Sequence, residues 1–276
     1  MYPYSIIGDI DLYTIFLCVG IISALLVFRI FSDRQKMYWK LQNFAIFVGV
    51  AAIACGCGSA MLFQAFYDFL ADPSQGFRLN TGATFYGGLI GGVVSFLALY
   101  FGIGFFVFKD KIHVKHFFDI ANIAAASISS AHAFGRIGCF TAGCCHGAET
   151  DAWYGVYFDY YKIKAVPIQL FEAIFLFALF AFFCFRLAKR KSYNLPLYMV
   201  LYGAWRFIVE FFRADDRGAT IVSFLTPSQL IAALMILGSV VLFLGEGYFV
   251  KKQLACANIN AGSEAEAEAE VENDEG

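Results

Sequence analysis

Long apolar runs punctuated by short charged segments make up most of the chain. Seven runs are long enough to cross a bilayer, which takes about 20 residues each. They are Leu12–Phe31, Asn43–Phe66, Ala83–Phe108, Phe117–Phe140, Pro167–Leu187, Leu195–Phe212 and Leu230–Val250. This pattern predicts an all-α, polytopic membrane protein, a bundle of about seven transmembrane helices. The fourth run is the weakest, because Ala124–Ser130 is built from small and polar residues. Small residues let helices approach closely, so this run is expected inside the bundle rather than against lipid. The domain reading is one transmembrane unit over residues 1–252 and an acidic, solvated tail over 253–276.

Composition sharpens the picture. Apolar residues make up 60% of the chain and charged residues 15%, against about 45–50% and 25% in soluble domains. That excludes an ordinary soluble globule. The net charge of −2 hides a split. Seven of the 22 acids fall between Ser263 and Gly276, where there is no base, so the rest of the chain has 15 acids against 20 bases. A Glu/Ala alternation with nothing to bury is expected to stay disordered.

Charge also predicts orientation. Thirteen bases lie in the first, third and fifth connections and after the last run: Arg29, Arg34, Lys36, Lys40, Lys109, Lys111, Lys115, Arg186, Lys189, Arg190, Lys191, Lys251 and Lys252. The other side has Arg78, Arg136, Lys162, Lys164, Arg206, Arg213 and Arg217. Positive loops stay cytoplasmic, so the N-terminus is expected outside and the C-terminus inside. The segment before the first run has Asp9 and Asp11 but no base. It lacks the basic start of a cleaved signal peptide, so the first span is expected to remain.

Polar groups within spans are costly and usually functional. Helices rise about 1.5 Å per residue through an apolar core of roughly 30 Å. On that scale His132 and Arg136 stand roughly 22 and 28 Å from the inner side, and Arg206 and Glu210 roughly 16 and 22 Å. Tyr86, Gln169 and Glu172 sit in the first outer turns of their runs, and Tyr13 opens the first run on the same side. The unusual polar residues thus converge on the outer half. Arg206 and Glu210 share a helix face. They read either as a self-neutralising ion pair or as an arginine held to present donors to a phosphate. Arg136 reads as a second phosphate-binding cation or as a side chain snorkelling to the interface. Gly87/Gly91 and Gly88/Gly92 form overlapping small-xxx-small pairs suited to tight helix packing.

Eight cysteines are many for such a chain. Cys139, Cys144 and Cys145 cluster beside His146. A disulfide, a metal site and a reactive thiol are all open readings.

Four segments carry a family resemblance. Gly135-Arg136-Ile137-Gly138-Cys139-Phe140, followed by Gly143 and Gly147, resembles the signature of the prolipoprotein diacylglyceryl transferase family. Phe85–Gly92 resembles its (H/Y)GGL stretch, and Pro167–Ala173 its P-x-Q-L-Y-E-A stretch. Tyr202–Arg213 resembles its Y-G-x-x-R-F-x-x-E-F-x-R stretch. Leu225–Gln229 falls where the family has a similar turn, and Tyr13 on the tyrosine that opens its first span. The seven-span, N-out topology is also the family's.

The resemblance implies transfer of a diacylglyceryl group from phosphatidylglycerol to the lipobox cysteine thiol of an exported prolipoprotein, with glycerol 1-phosphate leaving. Arg136 and Arg206 are then expected to stabilise the departing phosphate, with Glu210 holding Arg206. Tyr86 or His132 would assist deprotonation of the thiol. Tyr13, Gly87, Gly88, Gly147, Gln169 and Glu172 would line the substrate. No metal or cofactor is implied. The implied partners are phosphatidylglycerol, the prolipoprotein lipobox and membrane lipids, with no nucleic acid. The implied place is the bacterial cytoplasmic membrane, with the site facing its outer leaflet. The sequence departs from the family at Cys139, where Asn is common, at Cys144, where Glu is common, and at His146, where an aromatic is frequent. Two other classes compete: a membrane thiol-redox or metal-binding protein using Cys139, Cys144, Cys145 and His146, and a lipid-binding or transport protein without chemistry.

Overall fold

The structure is a computed structural model that describes residues 11–79, 82–213 and 226–274, without the side chains of Gln75, Phe85 and residues 253–274. The expectations that involve Asp9, Arg217 and Leu225 lie outside the described residues, and of the acidic tail only the backbone is described, as helix as far as Asp274. The elements are α1 (Leu12–Arg34), α2 (Trp39–Ala71), α3 (Phe85–Val107), α4 (Ile112–Lys115), α5 (Phe117–Ala142), β1 (Val156–Phe158), β2 (Ile163–Ala165), α6 (Ile168–Ala188), α7 (Asn194–Val209) and α8 (Pro227–Asp274). Single 3-10 turns cover Pro73–Gln75 and Glu210–Phe212.

Among the described residues, six helices are long and apolar enough to cross a membrane: α1, α2, α3 from Tyr86, α6, α7 extended to Phe212, and α8 from Pro227 to Lys252. Their exposed side chains are those of a lipid-facing surface. Phe106, Val241, Ile174 and Phe47 stand open on the outside of the helices, where hydrocarbon solvates them as well as a protein core does. The predicted fourth span is present as α5, but α5 is not among the six. Ala125, Ala126, Ser127, Ser129 and Ser130 are buried there. A helix covered by protein does not need an apolar surface to stay in the bundle.

The chain divides into two compact units. One is Leu25–Ile123. Its centre is the contact between α2 and α3. Ser59 Oγ donates to Gly87 O at 2.9 Å. A Cβ on Gly87 would stand 2.5 Å from Phe63 Cβ, one on Gly91 would overlap the Ser59 side chain, and one on Gly56 would stand 3.0 Å from Gly88 O. The backbones are therefore as close as the glycines permit. Thr84 N donates to Ala60 O, and Thr84 Oγ1 to Gln64 Oε1 at 2.7 Å, which fixes the entry into α3. Further along, Phe44, Tyr100, Phe105, Phe108 and Phe117 form an aromatic cluster around Tyr100 and His113. Tyr100 donates to His113 O at 2.7 Å.

The other unit joins Met1–Ala24 to Ala124–Gly276. Asp11 Oδ1 caps α1 by accepting the Thr14 N–H at 2.8 Å. These hydrogen bonds from Thr14 hold the Asp11 carboxyl below the usual carboxylate range. The glycine at position 20 lets α1 approach α5, where a Cβ would meet Ala131 O at 2.9 Å. Ser23 and Ser130 hydrogen-bond across that contact at 2.8 Å. Gly203 of α7 packs in the same way on Ala232 O of α8. A hairpin not anticipated from the pattern links α5 to α6. Its strands pair antiparallel, with Val156 opposite Ala165 and Phe158 opposite Ile163. Three-residue strands are too short to show an alternation, so nothing in the sequence announces them.

Candidate active site

Helical spacing of three and four residues builds the polar centre of this second unit. On α5, His132 and Arg136 share a face, as do Tyr198, Tyr202 and Arg206 on α7. Gln169 and Glu172 share one on α6. These faces meet. Arg136 Nη2 and Glu172 Oε1 form an ion pair at 3.0 Å. The Tyr202 hydroxyl donates to the same Glu172 oxygen at 2.7 Å. The Tyr202 and Tyr198 hydroxyls stand 3.4 Å from His132 Nε2 and Nδ1 respectively. Arg206 follows Tyr202 by one helical turn on α7, which places the second arginine beside the Tyr202–Glu172 bond.

Arg206 is held from the opposite direction. Its Nη2 donates to Glu210 Oε2 and to Ser228 Oγ, both at 2.9 Å. Glu210 lies in the 3-10 turn that ends α7, and its other oxygen accepts from Thr226 Oγ1 at 2.9 Å. Thr226 N donates in turn to Gln229 Oε1. The start of α8 thus clamps the carboxylate that clamps the arginine. Glu172, Arg206 and Glu210 are all buried.

The ion pairing adds a partner that the sequence does not show. Arg136 has no carboxylate near it in sequence, yet it is paired, with Glu172 from α6. Two arginines and two carboxylates make the centre formally neutral. Within it Arg136 Nε, Arg206 Nη1 and Glu172 Oε2 are buried without a hydrogen-bond partner among the described residues. Buried donors normally find partners, and an unmet one costs about 1–3 kcal/mol. Unmet guanidinium donors beside the satisfied Nη2 groups are suited to receive an anion.

The remaining expected residues fall as follows. Tyr13 packs on Gly138, where a Cβ would stand 3.1 Å from its ring, and it lies in the electrostatic neighbourhood of Arg136 and the three clustered cysteines. The Gln169 side-chain amide donates to Cys144 O. Gly147 has no room for a side chain between Ile168 and Phe212 O, and its N–H donates to Val166 O at 2.8 Å. Tyr86, Gly87 and Gly88 belong to the α2–α3 unit, where the two glycines form the helix contact described above. The sequence reading missed Tyr198, the Tyr202 bridge, and Thr226 and Ser228 as supports. The four-residue spacing from Tyr198 to Arg206 was the available signal for the tyrosines.

Cys139 lies in the last turn of α5, and Gly143 and Cys145, at φ 77° and 62°, turn the chain back over it. The left-handed backbone brings the thiols of Cys139, Cys144 and Cys145 together, all three sulfurs lying within 4.8 Å of one another. They are free thiols. Cys144 Sγ contacts Cys139 O at 3.6 Å. His146 is not part of this group. Its ring packs on Phe158 and Tyr161 of the hairpin, with centroids 5.1 Å away in both cases, so it serves as an aromatic surface.

Comparison with known proteins gives the context for this geometry. The family model for prolipoprotein diacylglyceryl transferase matches residues 4–245. A phosphatidylglycerol–prolipoprotein diacylglyceryl transferase 2 of Clostridium perfringens is 34% identical over 84% of this chain and 89% of its own length. The corresponding transferase of Clostridium tetani is 30% identical over 84% and 91%. That of Oleidesulfovibrio alaskensis is 26% identical over 90% and 92%.

Proposed function

The chain belongs to the prolipoprotein diacylglyceryl transferase family, and from that premise we propose that it transfers the diacylglyceryl group of phosphatidylglycerol to the lipobox cysteine thiol of a prolipoprotein. The acceptor sulfur attacks the glyceryl carbon, the carbon–oxygen bond to phosphate breaks, and glycerol 1-phosphate leaves with the electron pair. The observation that carries this reading is the neutral two-arginine, two-carboxylate centre with unmet guanidinium donors. Charge grows on the phosphate as the bond breaks. Donors fixed in advance, in a place without bulk water, stabilise that charge more than the ground state.

The roles follow from the contacts. Arg206 binds the phosphate, held in place by Glu210, Thr226 and Ser228. Arg136 supplies a second guanidinium, oriented by Glu172, and Tyr202 keeps that carboxylate from turning. His132 takes the thiol proton, its two nitrogens facing tyrosine hydroxyls that relay it. Tyr13, Gln169 and Gly147 shape the lipid and acceptor entrance. The site opens to the outer leaflet of the bacterial cytoplasmic membrane, with the N-terminus outside and the acidic tail in the cytoplasm. The excess of bases on one side, thirteen against seven, supports that orientation.

The test is direct. Purified protein, phosphatidylglycerol labelled in the acyl chains and a lipobox peptide should give labelled peptide. A Ser peptide should give none. Arg136→Lys keeps the charge but loses the planar fork, so activity should fall markedly. Full activity in that variant refutes the phosphate role of Arg136. Labelling that places Asp68–Arg78 in the cytoplasm refutes the orientation.

A further inference from the structure

The mechanism above leaves three thiols unused. They lie next to the arginine centre: Cys139 follows Arg136 by three residues on α5, and Gln169, three residues before Glu172 on α6, donates to Cys144 O. Their arrangement is specific. Tetrahedral thiolates on zinc, with Zn–S of about 2.3 Å, stand roughly 3.8 Å apart. The three sulfurs already lie within 4.8 Å of one another, so small side-chain rotations close the set. A disulfide uses the cluster less well. It leaves one of three thiols over, and the adjacent pair Cys144 and Cys145 has Cα atoms about 3.8 Å apart, below the usual disulfide span of about 4.4–6.8 Å. The backbone that gathers the thiols is unusual, with a non-glycine residue, Cys145, at positive φ. The Gln169 amide bonded to Cys144 O fixes the same turn to α6, next to Glu172.

We propose that Cys139, Cys144 and Cys145 bind a Zn²⁺ ion whose open fourth position takes the acceptor cysteine thiol and holds it as a thiolate for alkylation. The inference rests on the transfer reaction proposed above and deepens it on the acceptor side. Three protein ligands and one exchangeable position are the pattern of a reactive rather than a structural zinc. A thiol that coordinates zinc gives up its proton outright, here to His132, the base of the transfer reaction proposed above. The bound sulfur then uses an electron pair to form the C–S bond, and the glyceryl C–O bond breaks towards phosphate. The product is an uncharged thioether. It is a weaker zinc ligand than a thiolate, so the lipidated acceptor leaves and water or the next thiol replaces it. Three thiolates and one Zn²⁺ carry a net −1.

Cobalt is the probe, because Co²⁺ replaces Zn²⁺ and reports its ligands by absorption. Reduced wild-type protein in detergent should take up stoichiometric Co²⁺ with an intense thiolate charge-transfer band. Cys139→Ser, Cys144→Ser and Cys145→Ser should each weaken it, and the triple variant should abolish it. A lipobox peptide with Cys should shift the ligand-field bands, and the Ser peptide should not. Transfer by the Zn²⁺-loaded single variants should fall at least about tenfold. No band in the wild type, or the same band in the triple variant (an adventitious ion only), overturns the metal site. A band indifferent to the Cys peptide overturns the acceptor role. Neither optical readout needs turnover. Wild-type protein that binds Co²⁺ and responds to the Cys peptide, yet transfers no label from phosphatidylglycerol, would overturn the transfer reaction and not the zinc site.

Discussion

The polar centre on α5, α6 and α7 and the glycine contact between α2 and α3 use costly residues in opposite ways. At the α2–α3 contact, Gly87, Gly91 and Gly56 are consumed by packing, and a Cβ at any of them would crowd a neighbour. Nothing in that contact needs a further group to complete it. In the polar centre, Arg136, Glu172, Arg206 and Glu210 are joined by ion pairs and yet keep buried atoms without partners. Both regions give up favourable interactions, the first side-chain burial and the second charge solvation. Only the second is left incomplete, and an incomplete polar network is the physical signature of a place that a substrate finishes.

The largest expected effect is at Arg206. Arg206→Ala should lower transfer by about 10²–10³-fold, the range for losing a preorganised donor at a developing oxyanion, with the protein still inserted. Normal turnover at normal expression would make Arg206 structural, and the contrast with the glycine contact would disappear. Glu172→Gln comes next. It leaves the Arg136 charge without its counter-ion in an apolar surrounding, at a cost of about 2.5–3.5 kcal/mol. Thermal unfolding in detergent should register it, together with loss of activity.

Gly87→Ala tests the other side of the comparison. Overpacking against Phe63 should cost about 1–3 kcal/mol of stability, with activity per folded molecule retained. Lost turnover at unchanged stability would instead mean that substrate reaches this glycine. Tyr202→Phe removes the hydroxyl that bridges Glu172 and His132, for about 1 kcal/mol, and is expected to change the pH profile of transfer more than the unfolding temperature. The smallest effect is at Asp159, whose carboxyl is held low by the Lys162 ammonium on the exposed hairpin turn. Asp159→Asn should leave both stability and activity unchanged, because exposed ion pairs contribute little.

Much of this was legible from the chain. The six most apolar helices fall on predicted runs, and α5 sits where the weakest run was expected. The convergence of Arg136, His132, Glu172, Arg206 and Glu210 was visible from helical rise alone. The pairing was not. Arg206 and Glu210 are four residues apart and could be paired on paper, whereas Arg136 and Glu172 are 36 residues apart. Their pairing depends on which faces of α5 and α6 meet. The roles of Thr226 and Ser228 were hidden for the same reason, since the start of α8 meets the end of α7 only in the folded unit.

What the sequence determined by itself was the membrane class, the helix positions and the set of residues too costly to be idle. Hydrophobic length and charge are local properties, and the bilayer reads them segment by segment. What only the tertiary structure decided was the partners: Glu172 for Arg136, Thr226 and Ser228 for the Arg206–Glu210 pair, and one another for Cys139, Cys144 and Cys145. The reason is geometric. Hydrogen bonds and ligand sets require atoms within about 3–4 Å, a tolerance that helix-to-helix packing and two left-handed residues set, and that no local pattern encodes.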